Sequence, residues 1–395
     1  MRKFCVFSVS IALLLSATML LAQNPASTHF AYPPIRATNV QPLNSPSGYT
    51  PTQFRAAYTF NRVPNQGAGQ TIALVDAFDD PNIASDLAFY ASYFHKTPCN
   101  FTKVIVGSPL QGQGWDLEES LDVEQACALV PAANIILVEA NSNSFADLLT
   151  AVAVATSAPY NATVVSMSWG GDEFSGENES DSYFCNITNA NGAVTFFASS
   201  GDGGHGVIYP SASPCVIAVG GTTLALLTAA PQANPLVSDY GSESAWRDGG
   251  GGISTEEAEP SWQDSACAPY SPAGFRCVPD VASVAVNIPV YDTYSYGGWV
   301  TVEGTSISSP DWASFMTLVN SARGGNSQPT LSQAVQDMYN IYYTGNYAAD
   351  FHDITVGNNG TCGLDCDAET GYDLTTGLGS YQADNLYSVL AAEPN

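Results

Sequence analysis

Two stretches carry residue types that could do chemistry together. Gly304-Thr305-Ser306-Ile307-Ser308-Ser309-Pro310 leads into Trp312–Ser321, which reads as a helix. A serine at a helix N-terminus sits among unpaired backbone N–H groups and the positive end of the helix dipole, a setting that favours developing negative charge. Pro310 is expected in the first turn, where no N–H partner is needed. A plain Ser/Thr helix cap explains the same text equally well. A serine nucleophile also needs a base. His29, His95, His205 and His352 all lack a convincing setting, and Asp76, ending Ala73-Leu74-Val75-Asp76, has no histidine to orient. The stretch Trp115–Ala128 offers carboxylates instead. On a predicted helix Glu118 and Asp122 are spaced i,i+4 and share one face. Buried together, they would share a proton with one pKa raised. Such a pair can take a serine proton in acid, where imidazole is already charged. An exposed acidic helix and a two-carboxylate glycosidase are the alternatives, although the serine motif has no role in a glycosidase.

Positioning these residues takes a scaffold. Thr71–Val75, Val104–Val106, Ile135–Val138, Val164–Met167 and Val194–Ala198 are short apolar runs separated by helical stretches. That alternation predicts one α/β domain, with a mostly parallel sheet covered by helices on both faces. Ligands bind beyond the carboxyl ends of such strands. There the chain has polar, Gly-rich text, Ser168-Trp169-Gly170-Gly171 and Ser199-Ser200-Gly201-Asp202-Gly203-Gly204.

The chain has 395 residues, 45% of them hydrophobic, with 10 Lys+Arg against 37 Asp+Glu for a net charge of −27. That balance argues against nucleic acid or an anionic membrane as partner and suits a protein working in acid, where few bases leave little self-repulsion. Residues 1–22 read as a signal peptide: Arg2 and Lys3, an apolar stretch to Leu21, then Ala22. No other segment is long and apolar enough to span a bilayer, so a secreted or periplasmic protein with no membrane attachment after cleavage is expected. Residues 23–47, rich in Pro, Ser and Asn, read as an extended leader, and the globular part is placed at 48–395. Eight cysteines remain beyond Cys5, an even count that implies disulfides in an exported chain. Neighbour pairing, 99–127, 185–215, 267–277 and 362–366, is the expectation. Zinc is the weaker alternative, given no CxxC and four histidines.

From about Gly48 to the C-terminus the chain resembles the sedolisin family of serine-carboxyl peptidases. Besides the two stretches above, the resemblance rests on Val165-Ser-Met-Ser-Trp-Gly170, Ala218-Val-Gly-Gly-Thr-Thr-Leu224, Gly249-Gly-Gly-Gly-Ile-Ser254 and Pro279-Asp-Val281. It implies a subtilisin-like fold, Ser306 as nucleophile, Glu118 as general base, Asp122 as its orienting partner and Asp202 as oxyanion donor. By the same resemblance Ser168, Trp169, Gly170 and Gly251 would line the cleft and pair with an extended protein or peptide substrate, the enzyme acting as a monomeric endopeptidase. Asp353-Ile354-Thr355 and Gly371-Tyr372-Asp373 resemble the family's calcium site, with Asp353 and Asp373 giving carboxylates and Ile354, Glu369 and Gly371 carbonyls to one Ca²⁺. Glu303 departs from the pattern, since a small residue is usual before Gly-Thr-Ser. Family members also carry a large N-terminal pro-domain, whereas here only 23–47 separates the signal from the catalytic part. An inactive peptide-binding relative is the alternative this raises.

Overall fold

The computed structural model describes residues 28–39, 41–94, 98–228, 238–344 and 346–395. The predicted signal peptide, His95 and part of the leader lie outside them. In chain order the elements that matter are β1 (Arg36–Ala37), α1 (Pro51–Ala57), β2 (Thr71–Ala77), α2 (Ile83–Tyr93), β3 (Asn100–Ile105), α3 (Asp116–Leu129), β4 (Asn134–Ala140), α4 (Phe145–Thr156), β5 (Val164–Met167), β6 (Thr195–Ser199), β7 (Ile217–Leu226), β8 (Tyr240–Ala245), β9 (Val281–Val284), β10 (Val286–Asp292), β11 (Gly298–Glu303) and α5 (Thr305–Gly325).

The central sheet has eight strands in the order β8-β7-β6-β5-β2-β4-β3, with β9 also pairing to β7. Every pairing is parallel except β7–β8. The five strands expected from the sequence are all in it. β2 is buried from end to end, as a strand covered on both faces must be. Its alternate residues feed two cores: Ile72 and Leu74 pack with α3 and α5, while Ala73, Val75 and Ala77 pack with α4. The β2–β4 register puts Asp76 opposite Glu139 near the carboxyl ends of both strands. Two acids therefore meet where the sheet opens to the cleft.

All fourteen residues of α3 are buried, its five acids included, which removes the exposed acidic helix. α5 runs through the same core, buried from Thr305 to Asn320. Pro310 sits at its sixth position, one turn deeper than expected. Its missing N–H frees the carbonyl of Ser306 four residues earlier, and the Ser168 hydroxyl lies 3.3 Å from that oxygen. The four disulfides join Cys99–Cys127, Cys185–Cys215, Cys267–Cys277 and Cys362–Cys366, the neighbour pairing expected from the sequence.

Candidate active site

Gly304 is the N-cap of α5, and Ser306 follows it at the helix mouth, fully buried. The Ser306 hydroxyl caps nothing: its Oγ has no hydrogen-bond partner of full geometry. It does lie close enough to Glu118 to pull that carboxyl's pKa down against a larger upward push from burial and from the charges of Asp122 and Asp76. A contact that is long in the free enzyme and tightens with substrate is ordinary for a catalytic pair. One turn on along α3, Asp122 accepts from the Ser168 hydroxyl at 2.9 Å. Burial raises its pKa as well, with Ser168 and Glu118 opposing. Two buried carboxyls this close hold one proton between them.

Asp76 completes the acidic group. Both its oxygens are buried without partners, and burial, then the charges of Asp122 and Glu139, push its pKa up. The sequence shows no histidine for it to orient, whereas in the fold it stands behind the Glu118/Asp122 pair. None of the three described histidines bonds to Ser306. His352 stacks on Tyr240 and His29 on Phe174.

Across the cleft, Asp202 Oδ1 accepts from the Thr305 N–H at 2.8 Å and the Thr305 hydroxyl at 3.0 Å. That leaves Oδ2 to carry the proton of the neutral acid. Burial lifts Asp202 to about 7, with Thr305 and Arg36 opposing. When protonated, Asp202 can donate from that oxygen.

The leader lies in this cleft. Tyr32 and Gly170 exchange both backbone bonds, at 2.8 and 3.1 Å. Two residues on, the Pro34 carbonyl oxygen accepts from the Ser306 N–H at 3.3 Å. Beyond it β1 pairs antiparallel with β11, Arg36 opposite Glu303. The approach requires Gly304: a Cβ there would stand 2.1 Å from the Pro34 oxygen and 2.9 Å from Asp202 Oδ2. The peptide carbonyl thus occupies the corner between the Ser306 N–H and the Asp202 carboxyl. In the sequence, segment 23–47 reads only as an extended leader, because Pro-rich text carries no sign of where it docks.

The cleft residues named from sequence divide. Gly170 pairs with the leader. Ser168 is buried behind the site, holding Asp122. Trp169 is fully buried, its indole N–H donating to the Val75 carbonyl at 2.8 Å. Gly251 does not face the leader, since its N–H and C=O are both spent on Gly206, at 2.9 and 2.8 Å. Its backbone is a wall brace and not a pairing edge.

At the far end of the chain, Asp353 accepts from the Gly371 N–H at 3.0 Å and the Tyr347 hydroxyl at 3.1 Å. Asp373 accepts from the N–H groups of Glu369, Thr375 and Thr376 at 2.8–3.0 Å. One short loop therefore holds both carboxylates. Among the described residues nothing donates to the carbonyls of Ile354, Glu369 or Gly371. Two carboxylates and three unspent carbonyls are a hard-oxygen donor set that fits Ca²⁺.

A mostly parallel α/β sheet with a buried serine at a helix mouth, facing two carboxyls on a neighbouring helix, defines a serine-and-carboxyl version of the subtilisin-like fold. Residues 122–350 match the subtilase (peptidase S8) family. Kumamolisin from Bacillus sp. (strain MN-32) is 32% identical over 370 residues, covering 85% of this chain and 62% of the relative. Sedolisin from Pseudomonas sp. (strain 101) is 30% identical over 369 residues, with 86% and 60% covered. The structure of Pseudomonas sedolisin, a serine-carboxyl proteinase complexed with pseudo-iodotyrostatin, superposes with a TM-score of 0.70 at 25% identity, over 89% of this chain and 100% of that one. The chain belongs to the subtilase family, in its sedolisin branch. It spans about three fifths of the length of the curated relatives it matches.

Proposed function

We propose that this protein is a serine-carboxyl endopeptidase that hydrolyses peptide bonds in acid. The observation that carries the reading is the peptide carbonyl of Pro34 on the Ser306 N–H, with the Ser306 hydroxyl against Glu118. In the proposed reaction Ser306 Oγ attacks the substrate carbonyl carbon while its proton passes to Glu118. Asp122, held by Ser168, shares that proton and keeps Glu118 oriented. The oxyanion is stabilised by the Ser306 N–H and by neutral Asp202. The tetrahedral adduct collapses as Glu118 returns the proton to the departing amine, and water then releases the acyl group by the reverse relay. Gly170 supplies the sequence-neutral backbone pairing that an endopeptidase needs. Four disulfides suit export to an oxidising compartment, and no described helix is long and apolar enough to cross a membrane.

Because Asp202 titrates near 7, activity should fade as pH rises through neutrality, when the donor becomes an acceptor that repels the oxyanion. At the acid end protonation of the Glu118/Asp122 pair removes the base, so kcat/KM should be bell-shaped. Peptide release from a denatured protein at pH 3–4 and at pH 7–8 tests the reading. More release at pH 8 than at pH 4 would overturn it, and folded protein with no release at any pH would leave a peptide-binding relative.

We also infer that the Asp353/Asp373 loop holds one structural Ca²⁺. A ligand bound only by the native state stabilises by mass action, about 3 kcal/mol at a hundred times its Kd. Chelation should therefore lower Tm by several degrees in protein first shown to contain calcium. Asp373→Ala should start at a lower Tm and show no further fall on chelation. A chelator-sensitive Asp373→Ala protein would place the metal elsewhere.

A further inference from the structure

The leader shows what the cleft holds beyond the bond under attack. Counting from the Pro34 carbonyl on the Ser306 N–H, Arg36 is the second residue on the leaving-group side, and its place is fixed by the β1–β11 ladder, where it stands opposite Glu303. Three groups receive its guanidinium. Nε lies 2.6 Å from Glu303 Oε1, an Nη binds Asp248, and Cζ stands 5.4 Å above the Trp246 ring. Trp246 is a firm floor: it is 6% exposed, and its backbone N–H donates to the Gly221 carbonyl at 3.0 Å. Asp248 is tied to the loop that carries Asp202, its carbonyl accepting from the Gly204 N–H at 2.8 Å. Glu303 is joined to the nucleophile through Gly304-Thr305-Ser306, so it keeps a constant distance from the reacting bond whatever peptide is bound.

We propose that Trp246, Asp248 and Glu303 form a guanidinium-binding subsite on the leaving-group side of the cleft, selecting substrates with arginine two residues after the scissile bond. Arg36 is its resident ligand, and the leader is a tethered competitor that an arginine-bearing substrate displaces. Only Arg matches all three surfaces. Its plane stacks on Trp246 while its edges offer N–H groups to two carboxylates in different directions; Lys, a point charge without a plane, cannot do both. Each contact is partly exposed and individually modest, so the expected selectivity is about tenfold for Arg over Ala, with Lys between. The unusual carboxylate at 303 thereby gains a role. The inference rests on Ser306 marking the scissile bond, but the pocket itself can be tested without hydrolysis.

The probe is the leader decapeptide Phe-Ala-Tyr-Pro-Pro-Ile-Arg-Ala-Thr-Asn, alongside versions with Lys or Ala in place of Arg. The protein is the full chain carrying Arg36→Ala, which empties the pocket, and Ser306→Ala, which prevents cleavage. Titration calorimetry should give about tenfold tighter binding of the Arg peptide than of the Ala peptide. The remaining leader competes equally with both, so the ratio is preserved. Adding Glu303→Gln and Asp248→Asn should cut the ratio to about two, the share that stacking on Trp246 leaves. Equal affinities in the first protein would reduce Arg36 to a latch for its own segment and overturn the subsite, as would a preference undiminished by loss of both carboxylates. In parallel, protein with Ser306 intact digests a denatured substrate, and the residues after each cut are read by mass spectrometry. Arg-selective binding without any cleavage keeps the subsite and removes the Ser306 reading. Cleavage with no binding preference does the reverse.

Discussion

Ser306→Ala should fold and melt like the native protein while losing peptide hydrolysis by about five to six powers of ten in kcat. The two halves of this expectation have separate physical grounds. The Ser306 Oγ is fully buried yet satisfies no carbonyl and caps no N–H, since Gly304 is the N-cap. Deleting it therefore strands no backbone group and removes only a long contact to Glu118, so the change in stability should stay within about 1 kcal/mol. Its neighbours differ. Ser308 donates to the Ser283 carbonyl at 3.0 Å and Ser309 bonds Ser166 at 2.8 Å, so alanine at 308 should cost about 1 kcal/mol and leave hydrolysis in place. Thermal melting and kcat/KM on one peptide substrate, measured for both variants, separate the roles. If Ser306→Ala lowered Tm while its folded fraction kept native activity, the helix-cap explanation would hold and the nucleophile would have to be sought elsewhere.

That contrast between adjacent serines was not legible in the sequence, although the motif was. Local pattern revealed what depends on short range: apolar runs for the strands, an i,i+4 pair for Glu118 and Asp122, glycines where strands end. It could not reveal what distant segments do to one another. Ser168 reads as loop text until the fold sets it between Asp122 and the carbonyl that Pro310 leaves free. Gly251 looks like a pairing edge until the loop at Gly206 takes both its backbone groups. The leader shows no periodicity at all, yet its backbone finds Gly170 on one side and β11 on the other. Asp76 lacks the histidine that would mark it in the sequence, while its actual neighbours come from α3 and β4.

The same limit hid a feature of the whole molecule, from which the largest effect on stability should follow: the protein should be most stable in acid and lose stability steadily between about pH 4 and pH 8. Its carboxyl groups pair with one another. Besides Glu118 with Asp122, Glu119 lies against Glu139, Asp292 against Asp116, and Glu257 against Asp181, each close enough for the neighbour to act on its carboxyl. Each pair needs a proton. Burial first, then the partner's charge, lifts Glu257 to about 8. Burial likewise lifts Asp292 to about 7, and Glu139 to about 7 despite Lys103 at 2.8 Å. An unfolded carboxyl titrates near ~4. Below that pH both states are protonated and the stabilisation is fully present. Above it the unfolded chain gives up protons that the native state still binds, so stability falls with rising pH until the native groups have ionised too. Forcing a second charge into one buried pair costs several kcal/mol, against a total of about 5–15 kcal/mol for a typical domain. The net charge of −27 adds self-repulsion in the same direction. Ion pairs such as Arg62–Asp384, whose carboxyl pKa is lowered, act oppositely and set the limit in strong acid. Calorimetric Tm at pH 4, 6 and 8, with calcium held constant, should fall at each step. Asp292→Asn supplies an amide donor to Asp116 in place of the titrating proton. It should leave Tm unchanged at pH 4 and raise it at pH 8. A Tm that is flat or rising from pH 4 to pH 8, or an Asp292→Asn protein no more stable than the native one at pH 8, would show that these pairs do not hold the protons assigned to them.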